Sequence, residues 1–180
     1  FQKIEKERLP LNLTRQNVAD LVSETFYRFS SSARQQNKRF ELRIDEPEAW
    51  AAINREAFTK ILSNLFNNAL KYSESMVRVE LSRADATWRL TVTNDGEVVP
   101  AEMREAIFAP FFRHARQDEA PGTGIGLALA RSLAELHHGT LTMGPSTQFN
   151  EFVLTLPADL PQPSGSPESL RDKPSAPAPE

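Results

Sequence analysis

Residues 122–139 read GTGIGLALARSLAELHHG, and three of the chain's seven glycines, Gly122, Gly124 and Gly126, fall within the first five of these positions. Glycines packed this densely let backbone N–H groups approach a ligand that side chains would keep away. The positions that follow, 127–136, carry helical apolar spacing. A helix beginning there adds unpaired donors and the positive end of its dipole. The combination is an anion cradle, with phosphate the natural occupant. An ordinary flexible loop entering an ordinary helix would show the same residues, so the rest of the chain has to decide.

Composition narrows the field. The chain has 180 residues, 39% hydrophobic and 25% charged, enough for one domain with a real core and something appended. A formal charge of -3 leaves no basic footprint, so no nucleic-acid partner is expected. The absence of cysteine excludes disulfides, thiolate metal sites and thiol nucleophiles. No apolar run approaches the ~20 residues that span a bilayer, and Phe1 heads no signal peptide, so the piece reads as a soluble fragment of a longer chain without membrane contact of its own.

The second informative stretch is 56–73, EAFTKILSNLFNNALKYS. Phe58, Ile61, Leu62, Leu65, Phe66, Ala69 and Leu70 follow helical spacing and predict a broad buried face. Lys60, Asn64, Asn67, Asn68 and Lys71 make the other. Asparagine is a poor helix former, so three within five residues need a reason beyond solubility. A solvated face is one reading. The other is a stripe of amide oxygens and one ammonium suited to a magnesium-bound polyphosphate, because magnesium takes hard oxygen ligands and Lys neutralises phosphate.

Around these two stretches the pattern is mixed. Positions 1–9 are charged and weakly helical and stop at Pro10, reading as the end of an upstream helix. A short strand is expected over 11–14. Asn17 then caps a helix to about 36, with Val18, Leu21, Val22, Phe26 and Phe29 on one face. Strands are expected at 39–44 and 50–53, and at 76–83 and 87–94 as a hairpin across 84–86. Asn94-Asp95-Gly96 ends the last of these, and Pro100 with AEMREA predicts a helix where a returning strand would otherwise stand. FAPFFR at 108–113 and the polar HARQDEAP after it fit a hinged lid, or local core packing equally well. Closing strands fall at 140–143 and 149–156. From 157 the composition turns to Pro, Ser, Ala and charge, predicting a disordered tail.

Four of these stretches, in this order, resemble the boxes of the catalytic, ATP-binding domain of sensor histidine kinases, within the superfamily that includes gyrase, heat-shock chaperones and MutL. NLFNNALKYS is similar to the N box, NDGEVVP to the first glycine box, FAPFFR to the F box and GTGIGLALA to the second glycine box. EFVLTLP is similar to the closing strand. The resemblance implies an α+β fold, the Bergerat two-layer sandwich: a mixed, mostly antiparallel sheet with helices on one face and an ATP lid. It implies domains at 1–13 (the end of a dimerisation helix and linker), 14–157 (the ATP-binding domain) and 158–180 (tail or linker). It further implies ATP and magnesium as cofactors, with Asn68 the metal ligand and Asn64 beside it. Lys71 would meet phosphate and Tyr72 the nucleoside, and Asn94 and Gly96 the adenine. Gly122, Thr123, Gly124, Ile125, Gly126 and Leu127 would hold the triphosphate, with Phe108 and Arg113 contributing from the lid side.

Two departures stand out. The usual Asp-x-Gly-x-Gly is here Asn94-Asp95-Gly96-Glu97-Val98, so an adenine-reading carboxylate has become an amide and the second glycine a valine. His114, His137 and His138 lack the context of a phosphoacceptor and read as structural or solvated. The acceptor is expected on an upstream helical dimerisation domain, and a response-regulator receiver domain, in the same chain or another, as the next partner. The fragment is expected to be a monomer of a homodimeric, membrane-anchored bacterial sensor, lying on the cytoplasmic side. A gyrase-like ATPase is disfavoured because relatives of that kind carry a Glu at the position of Asn64, which cannot take a proton from water. A degenerate nucleotide-binding or docking module is the remaining alternative. A dinucleotide-binding fingerprint is set aside, since a polar segment and not an apolar strand precedes Gly122.

Overall fold

The computed structural model describes residues 10–112 and 125–159. In chain order these form β1 (Thr14–Asn17), α1 (Val18–Gln35), β2 (Arg39–Ile44), β3 (Trp50–Ile53), α2 (Arg55–Tyr72), β4 (Met76–Ala84) and β5 (Thr87–Asn94). Two 3-10 turns (Ala101–Met103, Ala106–Phe108), α3 (Gly126–Leu136), β6 (Thr140–Met143) and β7 (Asn150–Pro157) follow. The main sheet runs β2-β4-β5-β7-β6, with β2 and β4 parallel and the other pairs antiparallel, while β1 and β3 form a separate antiparallel ribbon. This is the expected mixed, mostly antiparallel sheet.

Strand alternation builds the two layers. Ile44, Leu81, Leu90, Leu154 and Leu141 stand in one cross-strand row, and Leu42, Val79, Val92, Phe152 and Met143 in the next. Both rows face the helices, because residues two apart share a face. The next row beyond these, Glu41, Arg78, Thr93, Glu151, faces the other way and is largely polar, with Arg78 Nε 3.6 Å from Glu41. The third inward row begins Phe40, Val77 and then turns polar at Asn94 and Asn150. The apolar core therefore gives way to amides at one end of the sheet.

The helices cover the apolar rows. Val18, Leu21, Val22 and Phe26 of α1 are buried, and so is every residue expected on the inner face of α2. Phe66 lies edge-on to Phe29 and Phe40 at 5.7 and 5.8 Å, and Phe40 stacks on Phe26 at 4.2 Å. Truncating Phe66 to Ala in such packing costs about 3–5 kcal/mol. Against α2 lies α3, whose buried positions are the small Ala128, Ala130 and Ala134, so the two helices approach closely.

Two expectations are corrected. The first strand lies at Thr14–Asn17 and not at 11–14, because pairing with β3 sets its register, and Asn17 ends it by accepting the Ala19 and Ala49 N–H groups as the cap of α1. The segment 101–106 is not a helix but part of two 3-10 turns, closed by i→i+3 bonds such as Met103 N–H to Pro100 O at 2.9 Å. Its side chains are tethered elsewhere: Arg104 donates to the carbonyls of Pro145 and Ser146, and Glu105 pairs with Arg131. Past β7, Ala158 and Asp159 still donate to Ala86 O and Trp50 O, both at 2.8 Å, and Asp159 meets Arg15 at 3.2 Å. The lid expected around 113–124, the tail and the helix expected over 1–9 lie outside the described residues.

Candidate functional site

The polar stripe of α2 divides in two. Lys60 and Asn67 are exposed, whereas Asn64 and Asn68, one turn apart, are half-buried. A Cβ on Gly126, the first residue of α3, would stand 3.2 Å from Asn64 Oδ1. Glycine there lets the start of α3 press against the asparagine stripe. Among the described residues neither Asn64 nor Asn68 spends its side-chain amide on a protein hydrogen bond. Among the described residues no side chain caps the first turn of α3, and no acidic residue occupies that turn, so its N–H groups keep their positive end. At the other end of α2, Lys71 Nζ lies 5.2 Å above the Tyr72 ring.

The turn after β5 closes on that same end. Gly96 is buried so tightly on α2 that a Cβ would come within 1.9 Å of Tyr72 O. Asp95 fastens it: its carboxylate accepts the Glu74, Ser75 and Met76 N–H groups at 3.0, 2.9 and 3.0 Å and the Ser75 hydroxyl at 2.5 Å. Burial works against this charge, but the hydrogen bonds from Ser75, Met76 and Glu74 outweigh it and hold Asp95 at about 2. Asp95 is thus an anchor between β5 and the start of β4. Beside it Asn94 is 1% exposed, its Oδ1 accepting Gly96 N–H at 2.9 Å and Asn150 Nδ2 at 3.2 Å.

A second fastening holds the segment that leads away from this turn. Arg131 of α3 grips Glu105 with both terminal guanidinium nitrogens, Nη1 and Nη2, at 2.5 and 3.0 Å, donates from Nε to Leu141 O and lies 4.2 Å over the Phe108 ring. The paired hydrogen bonds lower the Glu105 carboxyl and raise the Arg131 guanidinium. Phe108 is 4% exposed and packs edge-on to Phe152, so its ring is taken up by the core and does not line the site as expected. Phe111 is exposed. His137, at the end of α3, is structural: Nδ1 donates to Leu133 O at 2.7 Å and Nε2 accepts Asn54 N–H at 3.1 Å, tying α3 to the start of α2. Burial pushes its pKa down.

The structure therefore gathers Asn64, Asn68, Lys71 and Tyr72 on α2, Asn94 and Gly96 at its C-terminal end, and Ile125, Gly126 and Leu127 at the start of α3. Arg113, Gly122, Thr123 and Gly124 lie outside the described residues. Sequence reasoning missed Asp95 as an anchor, Asn150 and Arg131. Asn150 left a signal: it occupies an inward position in the alternation Asn150, Phe152, Leu154, Leu156, where an amide needs a partner.

Over residues 53–160 the chain matches the family described as histidine kinase-, DNA gyrase B-, and HSP90-like ATPase, and it belongs to that family. Among curated proteins it is 35% identical over 159 residues to the sensor-like histidine kinase SenX3 of Mycobacterium bovis, covering 84% of this chain and 38% of that protein. It is 32% identical over 146 residues to the sensor histidine kinase CusS of Escherichia coli O6:H1, covering 79% and 30%. The chain thus spans about a third of the length of these relatives. The catalytic domain of histidine kinase ThkA superposes with a TM-score of 0.73 at 25% identity, over 82% of this chain and 96% of that one. The fold is that of a histidine kinase catalytic domain.

Proposed function

We propose that this chain binds Mg-ATP and positions its γ-phosphoryl group for transfer to a histidine on a separate helical dimerisation domain, in two-component signalling. The observation that carries this reading is the half-buried pair Asn64 and Asn68, whose amides have no hydrogen-bond partner among the described residues, with Asn64 set against the first residue of α3. The donor set fits magnesium: Asn68 offers a hard oxygen, with Asn64 one turn away. Lys71 would meet phosphate, Tyr72 the nucleoside, and residues 122–127 the triphosphate, with Arg113 supporting. When bound, the ion neutralises charge on the phosphate oxygens; the protein's own part is orientation and charge.

In the transfer the terminal P–O bond breaks, ADP leaves, and a histidine nitrogen forms the new P–N bond. Asn64 cannot deprotonate water, which favours transfer over hydrolysis. His137, buried and bonded at both nitrogens, is no acceptor, which supports an acceptor on another domain. A response regulator is proposed as the next partner, since ThkA has been solved in complex with response regulator protein TrrA. The relatives are sensor kinases, and on that ground we assign the domain to the cytoplasmic side of a membrane-anchored homodimer. Among the described residues no helix is long and apolar enough to cross a membrane.

The test is calorimetric titration with Mg-ATP together with incubation in γ-labelled ATP. Saturable, magnesium-dependent binding with slow phosphate release and no acid-labile label on this chain is expected. Rapid steady-state release would transfer the assignment to an ATPase. Absence of binding would refute both.

A further inference from the structure

The amide of Asn94 is held in one sense by its surroundings. Asn150 accepts Val99 N–H on Oδ1 at 2.8 Å and donates from Nδ2 to Glu97 O at 2.9 Å. A backbone N–H can only donate and a backbone carbonyl can only accept, so these two partners fix which end of the Asn150 amide is oxygen. Its second Nδ2 proton then points at Asn94, 3.2 Å away, and requires an acceptor there. Gly96 N–H, 2.9 Å from the same atom, makes the same demand independently. Two donors fixed by backbone groups thus hold Asn94 Oδ1, and turning the amide over would set N–H against N–H twice.

What remains is Asn94 Nδ2. Among the described residues it has no protein partner, and no side-chain nitrogen or oxygen sealed from solvent among them lacks one. The 1% of Asn94 that stays open is therefore its amide nitrogen. A side chain 99% buried that keeps one open donor is built to meet something.

We propose that Asn94, held by Gly96 and by Asn150, reads the base through its NH₂ group as a hydrogen-bond donor, so that the site recognises an acceptor on the purine edge and not the exocyclic amine. This rests on the nucleotide reading above. Asn150 is the positioning residue and Asn94 the one that touches the base. An acceptor is available as N1 of adenine or as the 6-oxygen of a 6-oxopurine, so the amine that distinguishes ATP is left unread. Asn94→Asp preserves both internal bonds, since one carboxylate oxygen still accepts from Gly96 and Asn150. Only the open atom changes, from donor to acceptor.

Atom-edited nucleotides decide the matter, competing against a fluorescent ATP analogue. For the wild type, purine riboside triphosphate, which lacks the amine, is expected to match ATP within about threefold, and inosine triphosphate within about tenfold. The 1-deaza analogue of ATP, which lacks the ring acceptor, is expected to lose about tenfold. Asn94→Asp should invert the pattern, making the amine necessary and the ring nitrogen dispensable. The wild-type series decides by itself even if the variant folds poorly. A wild type that loses about tenfold without the amine, or that tolerates both edits equally, overturns the proposal while leaving nucleotide binding intact. Failure of every nucleotide to bind would remove the nucleotide reading itself, and this inference with it.

Discussion

Gly96→Ala tests whether the turn after β5 is seated on α2. The added Cβ would stand 1.9 Å from Tyr72 O and 3.0 Å from Asn94 Oδ1. The first distance falls roughly 1.5 Å short of van der Waals contact. Tyr72 O belongs to the backbone at the end of a helix whose body is buried, so it cannot swing aside as the tip of a side chain would. The turn must therefore lift, and it is held down by the Asp95 bonds to Glu74, Ser75 and Met76. Forced overpacking of this kind costs about 1–3 kcal/mol. For a domain of this size that corresponds to a fall in Tm of roughly 3–10 °C. Because Gly96 N–H also holds Asn94, nucleotide affinity should fall together with stability. Thermal unfolding followed by circular dichroism, with a Mg-ATP titration well below the lowered Tm, measures both. Wild-type Tm with wild-type affinity would show that the turn does not rest on α2.

Arg131→Ala is expected to lower Tm by about 3–8 °C, because it releases Glu105, Leu141 O and the Phe108 ring together. Arg131→Lys should not restore it, since an ammonium cannot make the paired bonds or stack; full rescue by Lys in thermal unfolding would argue against the clamp. The depressed pKa of His137 means that its contribution is complete above about 6.5 and is lost as pH falls through the lower folded value. Tm measured from pH 7.5 to 5 should fall on the acid side, and His137→Gln, which can still accept from Asn54, should flatten that slope. Asp95, held at about 2 against an ordinary 3.8, contributes stability above pH 4 that disappears as pH drops from 4 toward 2. Asp95→Asn should destabilise the protein at pH 7 and remove that acid limb, which denaturant titrations at several pH values would show.

Much of this arrangement can be read from local pattern. The α2 helix is legible because its apolar residues repeat at 3.6 and all of them are buried. The hairpin of β4 and β5 is legible from alternation, and it turns at Asp85, whose φ is 56°. Within the asparagine stripe, however, it is the approach of Gly126 on α3 that sets Asn64 apart from the exposed Asn67, and helix pairing is not written in either helix alone. Non-local pairing also explains β1, whose register comes from β3, 33 to 39 residues away. Spacing placed a helix at 101–106 because Ala, Glu and Met favour one, but Glu105 and Arg104 are claimed by Arg131 and by the carbonyls of Pro145 and Ser146. Asp95 beside Gly96 looks like a turn residue, and only the fold brings three N–H groups of residues 74–76 onto its carboxylate.

The central claim, that the asparagine stripe of α2 holds a magnesium-bound nucleotide, is tested most directly by titrating Mg-ATP into the wild type, Asn68→Ala and Asn67→Ala by calorimetry, with and without magnesium. Alanine is the better helix former, so neither substitution should lower stability. Asn68→Ala is predicted to lose the magnesium-dependent part of the binding and to retain the wild-type Tm, while the exposed Asn67→Ala binds as the wild type does. Equal, magnesium-dependent affinity for all three proteins would contradict the account.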